Sequence, residues 1–186
     1  EQFGGGTVNI ESAFPYEGKV TITLSPARSE SFPVELVIPK NTSFKNVKVN
    51  GQLAKGTINE RGNYEIKGTW KKGDTITLDT QYQLKAHTQR GECNLAWVAF
   101  TYGPITLAQK TLDLKTDEPF MKFKEEEKTR TVNMLVKSPG SKLAFTVKGS
   151  DITFIPIWET ANEFQFGGTK TYFGIEGNPN VPAVTE

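Results

Sequence analysis

Residues 19–24 (KVTITL) place Val20, Ile22 and Leu24 on one side of an extended chain and Lys19, Thr21 and Thr23 on the other. Side chains of a strand point alternately to its two faces, so this segment reads as a strand with one face buried. The pattern recurs at short, fairly even intervals. Val34, Leu36 and Ile38 repeat it and stop at Pro39; Val47 and Val49 repeat it and stop at Asn50-Gly51, a pair suited to a positive-φ hairpin turn. Tyr64 and Ile66 lead to Trp70, after which Lys72-Gly73-Asp74 turns the chain into residues 75–78 (TITL). Residues 95–100 (LAWVAF) are apolar on both faces, as expected of a strand covered on both sides. Val132, Met134 and Val136, then Leu143, Phe145 and Val147, then residues 152–158 and 170–175, complete the set.

Helical periodicity is missing by comparison. Residues 120–130 come nearest, but the run Glu125-Glu126-Glu127-Lys128 carries no apolar stripe and reads as a solvated turn. Short strands separated by turns predict an all-β fold, an antiparallel β-sandwich of jelly-roll type. Polar residues 113–118 followed by Pro119 interrupt the pattern. The expected organisation is therefore a sandwich over 1–112 and a smaller β unit over 113–186. That unit packs on or completes the first, with residues 178–182 as an extended tail.

Composition removes several classes of function. With 186 residues, 36% of them apolar and 12 of them Phe, the chain can bury a core and is not disordered. Lys and Arg number 22 against 21 Asp and Glu, a formal charge of +1, which gives no electrostatic basis for gripping nucleic acid or an anionic membrane. No apolar run is long enough for membrane insertion as a helix. Cys93 has no partner for a disulfide, and with His87 the sole imidazole there is no Cys/His set for zinc and one choice of base for a Ser–His–Asp triad. The chain opens Glu1-Gln2 with no signal peptide in view, which reads as a processed chain or a piece of a longer protein.

In order and spacing, a series of segments resembles the β-sandwich region that follows the catalytic barrel in glycoside hydrolase family 127, the β-L-arabinofuranosidase-type enzymes. They are residues 14–22 (FPYEGKVTI), 32–39 (FPVELVIP), 47–51 (VKVNG), 64–66 (YEI) with 69–74 (TWKKGD), Gly103-Pro104, 154–157 (FIPI) and Tyr172-Phe173. The sequence departs from that pattern at Val37, Gly68 and Tyr102, where arginine is expected, and at Lys40-Asn41, where a tryptophan is. In the family the catalytic glutamates and zinc-bound cysteines belong to a helical barrel, which cannot be written onto this chain, and Cys93 matches none of those cysteines. The resemblance thus implies a non-catalytic accessory region, with a catalytic barrel, a homodimer mate or a polysaccharide as partner, in an extracytoplasmic setting.

Read residue by residue, the chain offers no assembled active site. Glu92, Asp113, Asp117 and Glu159 are the acids to weigh for glycoside hydrolysis, which needs two carboxyls across the scissile bond, but none sits in a signature. His87 reads as a hydrogen-bonded structural residue and Cys93 as a buried thiol. Loop calcium would have to use Asp74 with Asp79 or Asp113 with Asp117; neither pair approaches a calcium-loop pattern, so no metal and no cofactor are expected. Exposed aromatic rings that stack on sugar faces are the remaining option. Trp70, Trp158 and Tyr16 are the candidates, whereas Trp97 reads as core. The leading expectation is an accessory domain with a structural or cleft-supporting role in polysaccharide degradation. An independent carbohydrate-binding module and an extracellular protein-interaction sandwich are the alternatives.

Overall fold

The computed structural model describes residues 5–90, 96–110, 123–124, 135–140, 143–148, 153–160, 169–170 and 173–176. The chain divides into two compact units, Glu1–Tyr82 and Gln83–Glu186. The break expected at 113–118 lies outside the described residues.

The first unit is built from β1 (Gly6–Ser12), β2 (Lys19–Pro26), β3 (Glu30–Leu36), β4 (Thr42–Val49), β5 (Gln52–Leu53), β6 (Thr57–Ile58), β7 (Tyr64–Trp70) and β8 (Asp74–Tyr82). One sheet runs β1-β2-β8-β4-β5 and a second runs β3-β7-β6, with every neighbour antiparallel. The alternation seen in the sequence decides which side chains meet. Val20, Ile22, Leu24, Ile76 and Leu78 from the first sheet pack with Phe32, Val34, Leu36, Tyr64, Ile66 and Trp70 from the second in one apolar cluster. Two sheets closed over a shared interior make a sandwich.

Strand β4 needs an extra device. Phe44 and Val47 both join the core although their spacing puts them on opposite faces of a regular strand. The pairing of β4 with β8 shifts between Lys45 and Lys48, and Asn46 within the shift has φ 52°. This bulge turns the strand over, so Phe44 before it and Val47 and Val49 after it all face inward. The Asn46 side chain donates to Asp79 Oδ2 at 2.7 Å and ties the bulge to β8. Asn50 (φ 49°) and Gly51 (φ 80°) then form the expected hairpin turn into β5.

The second unit holds β9 (Leu84–Arg90), β10 (Ala96–Tyr102), β11 (Ile105–Lys110), β12 (Phe123–Lys124), β13 (Leu135–Lys137), β14 (Phe145–Val147), β15 (Thr153–Pro156), α1 (Ile157–Thr160), β16 (Thr169–Lys170) and β17 (Phe173–Glu176). Its sheet runs β12-β17-β10-β11-β15-β14-β13, with β9 on β10 and β16 on β11, antiparallel except for the parallel pair β12–β17. Val98, Ala99 and Phe100 are all buried, so this stretch of β10 is covered on both faces as its apolar run predicts. The core gathers Phe100, Leu107, Leu135, Leu143, Phe145, Val147 and Phe154, with Phe100 and Phe154 edge to face at 5.2 Å. Residues 152–158, expected as one strand, end instead in the single turn α1. Among the described residues the fold is all-β apart from that turn, as the alternation requires.

Candidate functional site

The three aromatic candidates fall in three different environments. Trp70 sits on β7 at 2% exposure, and its Nε1 donates to the Phe32 carbonyl on β3 at 2.9 Å. The indole leans back along its own strand over Gly68, where a Cβ would lie 3.2 Å from the ring, and the Phe32 ring lies tilted beside it at 6.3 Å. An absent side chain at Gly68 thus makes room for a ring that welds β7 to β3. With both faces covered, Trp70 has none to offer a sugar, and the reading of it as a stacking residue gives way to one as core.

Tyr16 lies in the turn from β1 to β2. The turn is closed by Tyr16 and Glu17 backbone N–H groups donating to the Ala13 carbonyl at 2.9 and 3.2 Å, and by the Ser12 hydroxyl accepting from the Phe14 N–H at 3.1 Å. Pro15, after a cis bond, is buried beneath it. The rings on either side of Pro15 stay out: Tyr16 is 42% exposed, and Phe14, also exposed, meets Tyr82 edge-on at 5.8 Å. Trp158, in α1 of the other unit, is likewise 42% exposed. The exposed Phe14 is the residue that sequence reasoning missed. Its signal in the sequence is the Phe-Pro-Tyr triplet, which sets an aromatic residue on each side of the turn's proline.

The polar candidates are engaged within their own scaffold. Asp74, 6% exposed, accepts from the Lys71 backbone N–H at 2.8 Å and from Asn50 Nδ2 at 3.0 Å, while Asn50 Oδ1 accepts from the Thr75 N–H at 2.9 Å. The Lys71 N–H, then the Asn50 amide, hold the Asp74 carboxyl below its ordinary value of 3.8. Asp79 lies five positions on along the same strand, so it points to the opposite face and cannot share a cation with Asp74. Glu35 is held below its ordinary range first by Asn63 Nδ2, at 3.1 Å, then by Asn59, with Arg61 adding a weaker charge contribution. His87 Nε2 lies 2.8 Å from Thr101 Oγ1 on the neighbouring strand, a cross-strand tie. Burial pushes the Tyr102 hydroxyl up, and Lys137 Nζ lies 5.9 Å from that ring's centre. Glu159 is half-buried in α1. Glu92, Cys93, Asp113, Asp117 and Tyr172, and the Trp97 side chain, lie outside what is described. Among the described residues no three His, Cys, Asp or Glu side chains converge as metal ligands.

Residues 2–82 match the family model described as β-L-arabinofuranosidase, GH127 middle domain. This span ends at the residue where the first compact unit ends. The resemblance to the β-sandwich region of family 127 is therefore shown over that unit, and the part matched is the middle domain rather than a catalytic one. The comparison with curated proteins finds no match. Among solved structures, the chain is similar to Ara127N-Se, a GH127 β-L-arabinofuranosidase from Geobacillus stearothermophilus T6. The TM-score is 0.64 at 17% identity, over 93% of this chain and 31% of that one. A second similar structure, a glycoside hydrolase, gives 0.64 at 17% over 91% and 32%. A third, a GH127 β-arabinofuranosidase, gives 0.55 at 18% over 92% and 32%. At such identities the likeness is one of fold. The chain spans about a third of the length of the solved enzymes it matches.

Proposed function

We propose that this chain is a non-catalytic accessory β-sandwich region of a family 127-type glycoside hydrolase. It acts by packing on, and supporting the substrate cleft of, a catalytic domain in the same protein during extracytoplasmic breakdown of arabinose-containing polysaccharide. The observation that carries this reading is the coincidence of the middle-domain match, residues 2–82, with a unit that closes its own core. The engaged state of Asp74, Asp79, Glu35 and His87 supports the same reading, because general acid–base chemistry needs titratable groups aimed at a substrate rather than at their own turns.

The native polypeptide carrying this sequence, isolated from its source and weighed by mass spectrometry, is expected to exceed 20.6 kDa about threefold, in line with the 31% coverage, and to hydrolyse β-L-arabinofuranosides. The 186-residue chain alone is expected to hydrolyse none. A native protein of the chain's own mass, or turnover by the isolated chain, overturns the proposal. One observation favours a second reading, a carbohydrate-binding module: Tyr16 and Phe14 flank a buried proline on an exposed turn. Glycan-array binding that is lost in Tyr16→Ala, and retained in Trp158→Ala, would support it.

A further inference from the structure

Asn50-Gly51 is the chain's one Asn-Gly pair; every other asparagine precedes a residue with a side chain. Asparagine before glycine is the pair most open to deamidation, because no side chain hinders the glycine nitrogen from reaching the asparagine amide. Gly51 has open space where a Cβ would stand, and both residues are exposed to water. By sequence and exposure alone, this turn should deamidate quickly.

The fold opposes that chemistry. Both ends of the Asn50 side-chain amide are bound to the start of β8: Nδ2 donates to Asp74 Oδ1 at 3.0 Å, and Oδ1 accepts from the Thr75 N–H at 2.9 Å. The Asn50 backbone N–H also donates to the Thr75 carbonyl at 2.9 Å. Asp74 is itself fixed, buried and accepting from the Lys71 N–H at 2.8 Å. To attack, the Gly51 nitrogen must approach Asn50 Cγ from above the plane of the amide. Turning that plane toward Gly51 breaks both side-chain ties to β8.

We propose that Asn50 is a deamidation site gated by its clamp to Asp74 and Thr75, and that its conversion unfastens the β4–β5 hairpin from β8. Once the clamp opens, the Gly51 nitrogen bonds to Asn50 Cγ. Its proton passes through water to Nδ2, the Cγ–Nδ2 bond breaks, and ammonia leaves. Water then opens the cyclic imide at either carbonyl. One product is aspartate, whose second oxygen takes the place of Nδ2, 3.0 Å from Asp74 Oδ1, so that a donor to a carboxylate becomes a like charge. The other is isoaspartate, which routes the backbone through Cγ and lengthens a turn whose two residues set the Val49–Gln52 register. Neither carboxylate donates to Asp74, so the clamp does not re-form. This inference is independent of the accessory reading above.

The test follows residue 50 by peptide mapping with fragmentation that separates aspartate from isoaspartate, over weeks at near-neutral pH. The folded 186-residue chain is expected to convert Asn50 at least about tenfold more slowly than the same chain unfolded in guanidinium chloride. Asp74→Ala frees Nδ2 and is expected to raise the folded rate at least about fivefold, with amide exchange in β2 showing that the unit is still folded. Asp74→Asn keeps the side chain's shape but loses the charge that strengthens the tie; it should raise the rate at least about twofold, and gives a reading even where Asp74→Ala unfolds. Gly18→Ala drives a Cβ into the Thr80 carbonyl and loosens the same unit away from the clamp, so the rate should stay within about twofold. Asn50→Asp reproduces the first product. It is expected to speed exchange of the Ala54 N–H, which donates to the Val47 carbonyl at 2.9 Å, at least about fivefold while β2 stays slow. Equal rates in the folded and unfolded chain, a rate indifferent to both Asp74 substitutions, equal acceleration by Gly18→Ala, or an Ala54 amide unmoved by Asn50→Asp overturns the proposal.

Discussion

Gly68 and Trp70 should be energetically inseparable, and a double-mutant cycle can measure the coupling. A Cβ at Gly68 would sit 3.2 and 3.3 Å from indole carbons of Trp70, closer than ordinary contact. The ring has little room to retreat: it is buried, flanked by Phe32, and tied through Nε1 to the Phe32 carbonyl. Overpacking of this kind costs about 1–3 kcal/mol, while replacing a strand glycine by alanine returns about 0.5–1 kcal/mol. Gly68→Ala is therefore expected to destabilise the first unit by about 1–2 kcal/mol. Trp70→Phe alone removes ring volume and the donor to Phe32, at about 2–4 kcal/mol. In that background the atoms that Gly68→Ala would strike are gone, so the second substitution should be neutral or favourable by up to about 0.5–1 kcal/mol. The coupling is then about 1–3 kcal/mol, above the roughly 0.5 kcal/mol scatter of independent sites. Amide exchange in β2 and β8 reads the stability of this unit in all four proteins without relying on tryptophan fluorescence. Additive effects would refute the claim that an empty position at Gly68 exists to seat the Trp70 ring.

Other perturbations probe the ties between turns. Gly18→Ala would drive a Cβ into the Thr80 carbonyl, which is backbone and cannot swing aside, and is expected to cost about 3 kcal/mol by urea denaturation, against little change for Gly51→Asn in the open hairpin turn. Asn50→Ala loses the links to Asp74 and Thr75 and puts alanine at φ 49°, for about 1–2 kcal/mol; Asn50→Gly, which accepts that backbone angle, should cost less, and equal losses would deny the backbone contribution. The depressed Asp74 carboxyl contributes stability that is present above its ordinary value of 3.8 and is lost as pH falls through its lower folded value. The stability gap between the native chain and Asp74→Asn should therefore be widest near neutral pH and narrow as pH falls below 3.8, and urea midpoints showing a constant gap would contradict this.

How much of this was legible beforehand follows from what alternation can encode. A strand with one face in the core and one in water leaves a period of two, and Val20, Ile22 and Leu24 or Ile76 and Leu78 were readable for that reason. Strand β1 was not, because its Val8 and Ile10 alternate over only two apolar positions and their face is left open. Phe44 went unread because the bulge at Asn46 breaks the period that would have linked it to Val47. The sequence shows Trp70 only as an aromatic residue before a turn, which does not say where its ring lies. Only the empty neighbour at Gly68 and the carbonyl of Phe32, distant in sequence, reveal where the ring lies. The ties of Asp74 to Asn50 and of Asp79 to Asn46 join positions that no local spacing connects.

Those ties bear on what a domain of this kind can do. Asp74, Asp79, Glu35 and His87 each meet a neutral donor or hydroxyl of their own scaffold, and each tie holds a turn or bulge or joins two strands. The Asp74 and Glu35 carboxylates are held charged by these donors, and a general acid needs the reverse, a raised affinity for its proton. The hydrogen bonds that hold these turns in the first unit are thus the same ones that keep Asp74 and Glu35 in their charged form. The exposed apolar and aromatic side chains of the first unit are of a different kind: Val8 and Ile10 on β1, and Phe14 and Tyr16 on either side of the buried Pro15. Such side chains offer contact surface rather than a carboxylate or an imidazole.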